Sequence, residues 1–88
     1  MVTFTQAHRE FIEKYFEDEV LDLPYDAQEL LDCEDASQVL EALSDMDEAI
    51  SYLAGEGCEY GPEQLDAISR ELLRVRREFK ELNGITAL

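Results

Sequence analysis

Positive charge is missing from the middle of this 88-residue chain. Between Tyr15 and Ser69 there are 17 Asp or Glu residues and no Lys or Arg, which gives these 55 residues a formal charge of −17. A surface built from them would repel nucleic acid and attract basic proteins. We therefore expect a basic protein as partner and no direct binding of nucleic acid.

Histidine, paired cysteines and long apolar runs are also scarce. A di-iron bundle needs paired Glu-x-x-His elements, and His8 is the only histidine, so we expect it to be a partly buried structural residue. Cys33 and Cys58 form no C-x-x-C pair and are expected to be free thiols. No segment is apolar enough to span a membrane, and the N-terminus does not resemble a signal peptide, so we expect a cytoplasmic protein of a bacterial or archaeal host cell.

Sites for metals, cofactors or catalysis are not expected either. Asp32-x-Glu34 and Asp45-x-Asp47 lack the glycine and the later oxygen ligands of a calcium loop. The glycine-containing loop 55–61 also contains glutamates, which oppose a bound phosphate. The sequence predicts a protein without enzymatic activity, metal or cofactor.

Apolar residues nevertheless make up 45% of the chain, which is typical of a folded domain. We expect one domain, residues 1–88. Strand patterns are weak, and four segments have helical start signals followed by apolar residues at three- and four-residue spacing. These signals are Thr3 with Gln6, Asp26 with Glu29, Asp35 with Gln38, and Pro62, and the corresponding apolar stripes extend to Leu23, Leu31, Leu53 and Leu82.

The predicted fold is all-α, a small antiparallel bundle of three to four helices, because each stripe leaves water only by packing on the others. Ser44 with Asp47 allows a break in the third helix. Asn83 and Gly84 are expected to end the last helix in a Schellman-type cap, with Ile85 folding back onto Phe79.

The carboxylates fall into two groups that we predict to bind the partner. The third helix has a row at i, i+4 and i+7, and the junction of the first two helices has nine acids. Tyr25 and Tyr60 are the candidate aromatic anchors, because both lie outside the clean stripes. The predicted partner-binding residues are Glu17, Asp18, Glu19, Asp22, Tyr25, Asp26, Glu29, Asp32, Glu34, Asp35, Glu41, Asp45 and Glu48.

Five of the seven cations occur in the last helix, where Asp66–Arg70, Arg74–Glu78 and Arg77–Glu81 have the spacing of i,i+4 ion pairs. We expect this helix to neutralise acidic neighbours within the bundle or across the interface of a possible homodimer.

The chain resembles acyl carrier proteins in its size, acidity and helical content, with Ser37 at the start of a helix. It departs from them because Asp35-Ala36-Ser37-Gln38-Val39 lacks the Asp-Ser-Leu triplet. It also resembles colicin immunity proteins in size and acidity, but Glu59-Tyr60-Gly61-Pro62 lacks their paired tyrosines before proline.

The expected function is that of a small acidic inhibitor that masks a basic, nucleic-acid-binding surface of another protein. A viral protein from a phage, such as an anti-CRISPR or anti-restriction DNA mimic, has this composition. Alternatives are an acyl-carrier-like domain, an acidic antitoxin, an immunity-type nuclease inhibitor and an anti-sigma-like factor. The acids could also solubilise the protein in a high-salt cytoplasm.

Overall fold

The apolar stripes correspond to helices in a computed structural model, which describes residues 2–85 of the chain. The elements are α1 (Gln6–Tyr15), α2 (Ala27–Leu31), α3 (Ala36–Glu56) and α4 (Pro62–Leu82). No residue from 2 to 85 lies in a strand. The predicted all-α bundle is confirmed.

Helices α3 and α4 form an antiparallel hairpin of two 21-residue helices. The loop between them is short, and Gly57 adopts a φ of 91°, which favours glycine. Late in α4, the Arg76 guanidinium donates a 3.2 Å hydrogen bond to Ser44 Oγ, early in α3. The predicted stripes are buried except at their last residues, since Leu53 is half-buried and Leu82 is exposed. The buried residues are Val39, Ala42, Leu43, Met46 and Ile50 in α3, and Leu65, Ile68, Leu72, Val75 and Phe79 in α4.

The first helix packs against α4 with the opposite chain direction. The Phe4 ring, just before α1, lies 5.5 Å from the Phe79 ring near the end of α4. Thr3 and the side chain of Asn83 exchange two hydrogen bonds of 2.8 and 3.0 Å, which hold the segment before α1 against the end of α4. Phe11, Ile12 and Tyr15 then add the buried face of α1 to the core.

Several predicted helix boundaries are confirmed. Asp35 is the N-cap of α3, and Pro62 is the first residue of α4. The Schellman cap is also present, because the N–H of Ile85 donates to the carbonyl of Lys80 and that of Gly84 to the carbonyl of Glu81. The break allowed at Ser44 does not occur, since α3 continues to Glu56.

The prediction for the first helix is wrong at both ends. Thr5, not Thr3, is the N-cap: its Oγ1 accepts the N–H of His8 at 3.0 Å, and its own N–H donates to His8 Nδ1 at 3.4 Å. The helix ends at Tyr15 instead of reaching Leu23. Phe16 and Leu21 are the buried residues of the segment after the helix, whereas Val20 is only half-buried.

A polar side chain explains the early end. Asp18 Oδ1 accepts the N–H groups of Val20 at 2.8 Å and Leu21 at 3.1 Å, which closes a turn where a helix was predicted. Asp22 then adopts a φ of 47°, in the left-handed region that Asp tolerates better than most residues. The chain therefore changes direction between α1 and α2.

Candidate partner-binding surface

The bundle separates the charges of the chain into two sides. We call residues 16–61 the acidic side. It consists of helices α2 and α3, the segment between α1 and α2, and the loop between α3 and α4, and it contains no Lys or Arg. We call α1 and α4 the mixed side, because all seven cations lie in these two helices. The cations come from opposite ends of the sequence and share one side because α1 packs on α4.

Seven of the predicted binding acids are exposed and make no side-chain hydrogen bond or ion pair among residues 2–85. They come from the segment after α1, from α2 and the turn that follows it, and from α3. They are Glu19, Asp22, Asp26, Glu29, Glu34, Glu41 and Glu48. These carboxylates remain available to an external partner.

Three other predicted binding acids make local hydrogen bonds. Asp35 accepts the N–H of Ser37 at 2.9 Å, and Asp32 accepts the amide of Gln28 at 3.0 Å. Glu17 Oε1 accepts the N–H of Ala27, the first residue of α2, at 3.0 Å. Asp26 is the N-cap residue of α2, as expected, but its side chain makes no capping hydrogen bond. Glu17 supplies that acceptor from ten residues earlier in the chain.

Asp18 is a structural residue of the acidic side. Besides closing its turn through Oδ1, it accepts the phenol hydrogen of Tyr60 at Oδ2. Tyr60 lies in the loop between α3 and α4, so this bond fastens the segment after α1 to the hairpin. Hydrogen bonding to the neutral phenol, burial and the Asp18 charge raise the pKa of Tyr60 from its ordinary 10.0 to about 12.

Tyr25 makes an equivalent bond further along the segment. Its phenol donates a 2.6 Å hydrogen bond to Asp45 Oδ2 on α3, and its ring lies edge-on to Phe16. The Asp45 hydrogen bond is the first cause that raises the pKa of Tyr25, followed by burial and the charges of Asp45 and Glu41. Asp45 is half-buried, whereas Glu41 and Glu48, its neighbours in the predicted row, are exposed.

An exposed aromatic residue was missed by the sequence reasoning. Tyr52 is 65% exposed and follows Glu48 by four residues on α3. The row of Glu41, Asp45 and Glu48 advances by steps of four and three residues, and one more step of four reaches Tyr52. Extending the row along the helix would have found Tyr52. The predicted anchors Tyr25 and Tyr60 are half-buried, and both are hydrogen-bonded within the protein.

The cations of α4 divide between internal contacts and solvent. Arg70 pairs with Asp66 at 2.9 Å, as the spacing predicts. Arg76 reaches across the hairpin to within 3.9 Å of Asp47, so it does neutralise an acidic neighbour in the bundle. Two other predicted ion pairs, Arg74 with Glu78 and Arg77 with Glu81, are not formed in the described part of the chain.

His8 is fully buried, more so than the sequence suggested. Its ring is edge-on to Phe79, and Nε2 lies 3.4 Å from Glu78 Oε1, beside an exposed part of α4. Cys33 and Cys58 are half-buried free thiols. Ser37 is exposed in the first turn of α3.

Metal sites and membrane-spanning helices are absent from residues 2–85. His, Cys, Asp and Glu side chains do not converge there in threes to form a candidate metal site. None of the described helices combines the length and apolar character that crossing a membrane requires.

Comparisons with protein families, curated proteins and solved structures give no match to this chain.

Proposed function

We propose that this protein is a non-enzymatic inhibitor whose acidic side covers a basic, nucleic-acid-binding surface of another protein. The acidic side would occupy the partner's groove in place of the nucleic-acid backbone. Such a protein would suit a phage that disables a CRISPR effector or a restriction system of its bacterial or archaeal host.

The observation that carries the proposal is the set of seven exposed, internally unbonded carboxylates on a side whose own residues include no Lys or Arg. Carboxylates that serve folding are satisfied internally, as Asp18 and Asp45 are. The seven free carboxylates add mutual repulsion when the chain folds, and within the described residues they form no bond that offsets it. Their charge becomes favourable when a basic surface of complementary charge binds them.

The neighbouring bonds support the proposal because they hold the acidic side in one shape. Asp18 with Tyr60, Tyr25 with Asp45, and Glu17 with the N–H of Ala27 fix the segment after α1 against α2, α3 and the following loop. A fixed array of charges binds with less loss of conformational freedom than a disordered acidic tail.

The test compares two triple charge reversals that change the net charge equally. Glu19→Lys, Asp26→Lys and Glu34→Lys alter the acidic side, whereas Glu10→Lys, Glu13→Lys and Glu81→Lys alter the mixed side. All six residues are exposed, so both variants should keep the helical circular dichroism of the wild type.

Host proteins captured by the wild type at low salt and released at high salt would be purified and assayed for binding to duplex DNA. We expect the wild type and the mixed-side variant to compete with DNA for such a protein, and the acidic-side variant to compete poorly, mainly through slower association. If the two variants compete equally well, the competition depends on net charge alone and not on the acidic side. A captured protein whose DNA binding is unchanged by the wild type would contradict the proposal.

A further inference from the structure

Tyr52 is the most exposed large apolar side chain in the described part of the chain, at 65%. It lies four residues after Glu48 and four before Glu56 on α3, so the three side chains occupy successive turns of one helix face. Both glutamates are exposed. The ring is not part of the hydrophobic core, so its face is accessible to another molecule.

The other tyrosines differ from Tyr52 in this respect. Tyr15 is buried, and the phenols of Tyr25 and Tyr60 donate to aspartates of the same molecule. Leu73, the next most exposed apolar residue, lies on α4 beside Arg74. The first carboxylate that follows it in the sequence is Glu78. An exposed ring between two free carboxylates is therefore particular to α3.

Building on the proposed function, we infer that Tyr52 is the anchor of the partner interface and that it receives an arginine side chain of the basic partner. A guanidinium is planar, so it stacks on the face of an aromatic ring while its N–H groups donate to a carboxylate one helical turn away. Glu48 and Glu56 are placed one turn before and one turn after the ring.

The ring is what would distinguish arginine from lysine. Carboxylates alone attract either cation, and an ammonium group is compact and strongly hydrated. Arginine is also the cation most often enriched with tyrosine at the centre of protein interfaces. No cation of this chain competes for the site from nearby sequence, because residues 16–69 contain none.

An oligo-arginine peptide and an oligo-lysine peptide of equal length would serve as probes of the full chain in calorimetric titrations. We expect the wild type to prefer the arginine peptide, and Tyr52→Leu to lose that preference through arginine binding that is about two- to fivefold weaker. Tyr52→Phe keeps the ring and should retain the preference. Leu73→Ala, on the mixed side, should bind both peptides as the wild type does.

Two outcomes would overturn the inference, and they differ in what they mean for the proposed function. If both peptides bind with a strong salt dependence but Tyr52→Leu retains the wild-type preference for arginine, Tyr52 is not the anchor and the acidic side still binds basic partners. If the wild type binds neither peptide at low salt, the charge complementarity behind both proposals fails. Circular dichroism of each variant checks that folding is unchanged.

Discussion

The α3–α4 hairpin and the segment from Phe16 to Asp26 are held in place by different interactions. The hairpin is fixed by apolar burial along two regular stripes, with Leu43, Met46 and Leu72 completely inaccessible to solvent. The segment contains only two core residues, Phe16 and Leu21, and its side chains also donate or accept hydrogen bonds that hold it in place. One part of the acidic charge therefore has a structural role, and another part is exposed and unbonded within residues 2–85.

The largest expected effect breaks the hairpin core. Leu72→Ala should lower the free energy of unfolding by about 2–5 kcal/mol, because it deletes fully buried methyl groups and leaves a cavity between α3 and α4. Urea denaturation followed by circular dichroism measures the loss. The matched control is its neighbour: Leu73 is 55% exposed, and Leu73→Ala should change stability by less than about 0.5 kcal/mol. Similar losses for the two variants would contradict the assigned packing.

A smaller loss of stability is expected when the hydrogen bonds that hold the segment in place are removed. Asp18→Ala eliminates the acceptor of the Val20 and Leu21 N–H groups and of the Tyr60 phenol. Because the carboxylate is half-buried and water can replace part of these bonds, we expect a loss of about 1–2 kcal/mol in the same denaturation experiment.

Glu19→Ala is the control for Asp18→Ala, since Glu19 is adjacent, acidic and exposed. It should leave stability nearly unchanged. If removal of Glu19 were as costly as removal of Asp18, the acids of this segment would act through their overall charge and not through specific hydrogen bonds.

The smallest effect concerns a single phenol and appears only at alkaline pH. The pKa of Tyr60 is raised from 10.0 to about 12 because the neutral phenol donates to Asp18. The unfolded chain therefore releases this proton at lower pH than the folded chain does. The stabilisation is complete below pH 10 and is lost as the pH rises towards 12.

Tyr60→Phe isolates this contribution from the other groups that titrate at high pH. We expect the free energy of unfolding of the wild type to fall more steeply between pH 10 and 12 than that of Tyr60→Phe, and the two slopes to agree near neutral pH. Parallel pH profiles across the alkaline range would show that folding does not change the pKa of the Tyr60 hydroxyl.

Sequence reasoning succeeded where one physical term dominates locally. In α3 and α4 the apolar stripe, the N-cap Asp35, the Pro62 start and the Gly84 cap all indicate the same helices, and those boundaries are confirmed. It failed after Tyr15, where the stripe predicted a longer helix. The turn formed by Asp18 competes with the helix there, and apolar spacing alone does not reveal that competition.

The sequence predicted a binding surface as a set of acids, but it did not predict which of them bond within the protein. Exposure of Glu19, Glu29 and Glu48 agrees with the expected solvent-facing charge. Asp18 and Asp45 are bonded to tyrosines 42 and 20 residues away along the chain. Partners at such separations depend on how helices pack, and residue spacing along one helix carries no information about them.

The helical class, the hairpin core and the absence of cations from residues 16–61 follow from residue order, because helical periodicity and charge can be read along the chain. Which carboxylates are exposed and unbonded depends on how the helices pack. Packing of α1 on α4 gathered the cations of both chain ends on one side, and the bonds of Tyr25 and Tyr60 removed two aspartates from the available surface. Tyr52 stayed exposed because no other element of the described chain covers that face of α3.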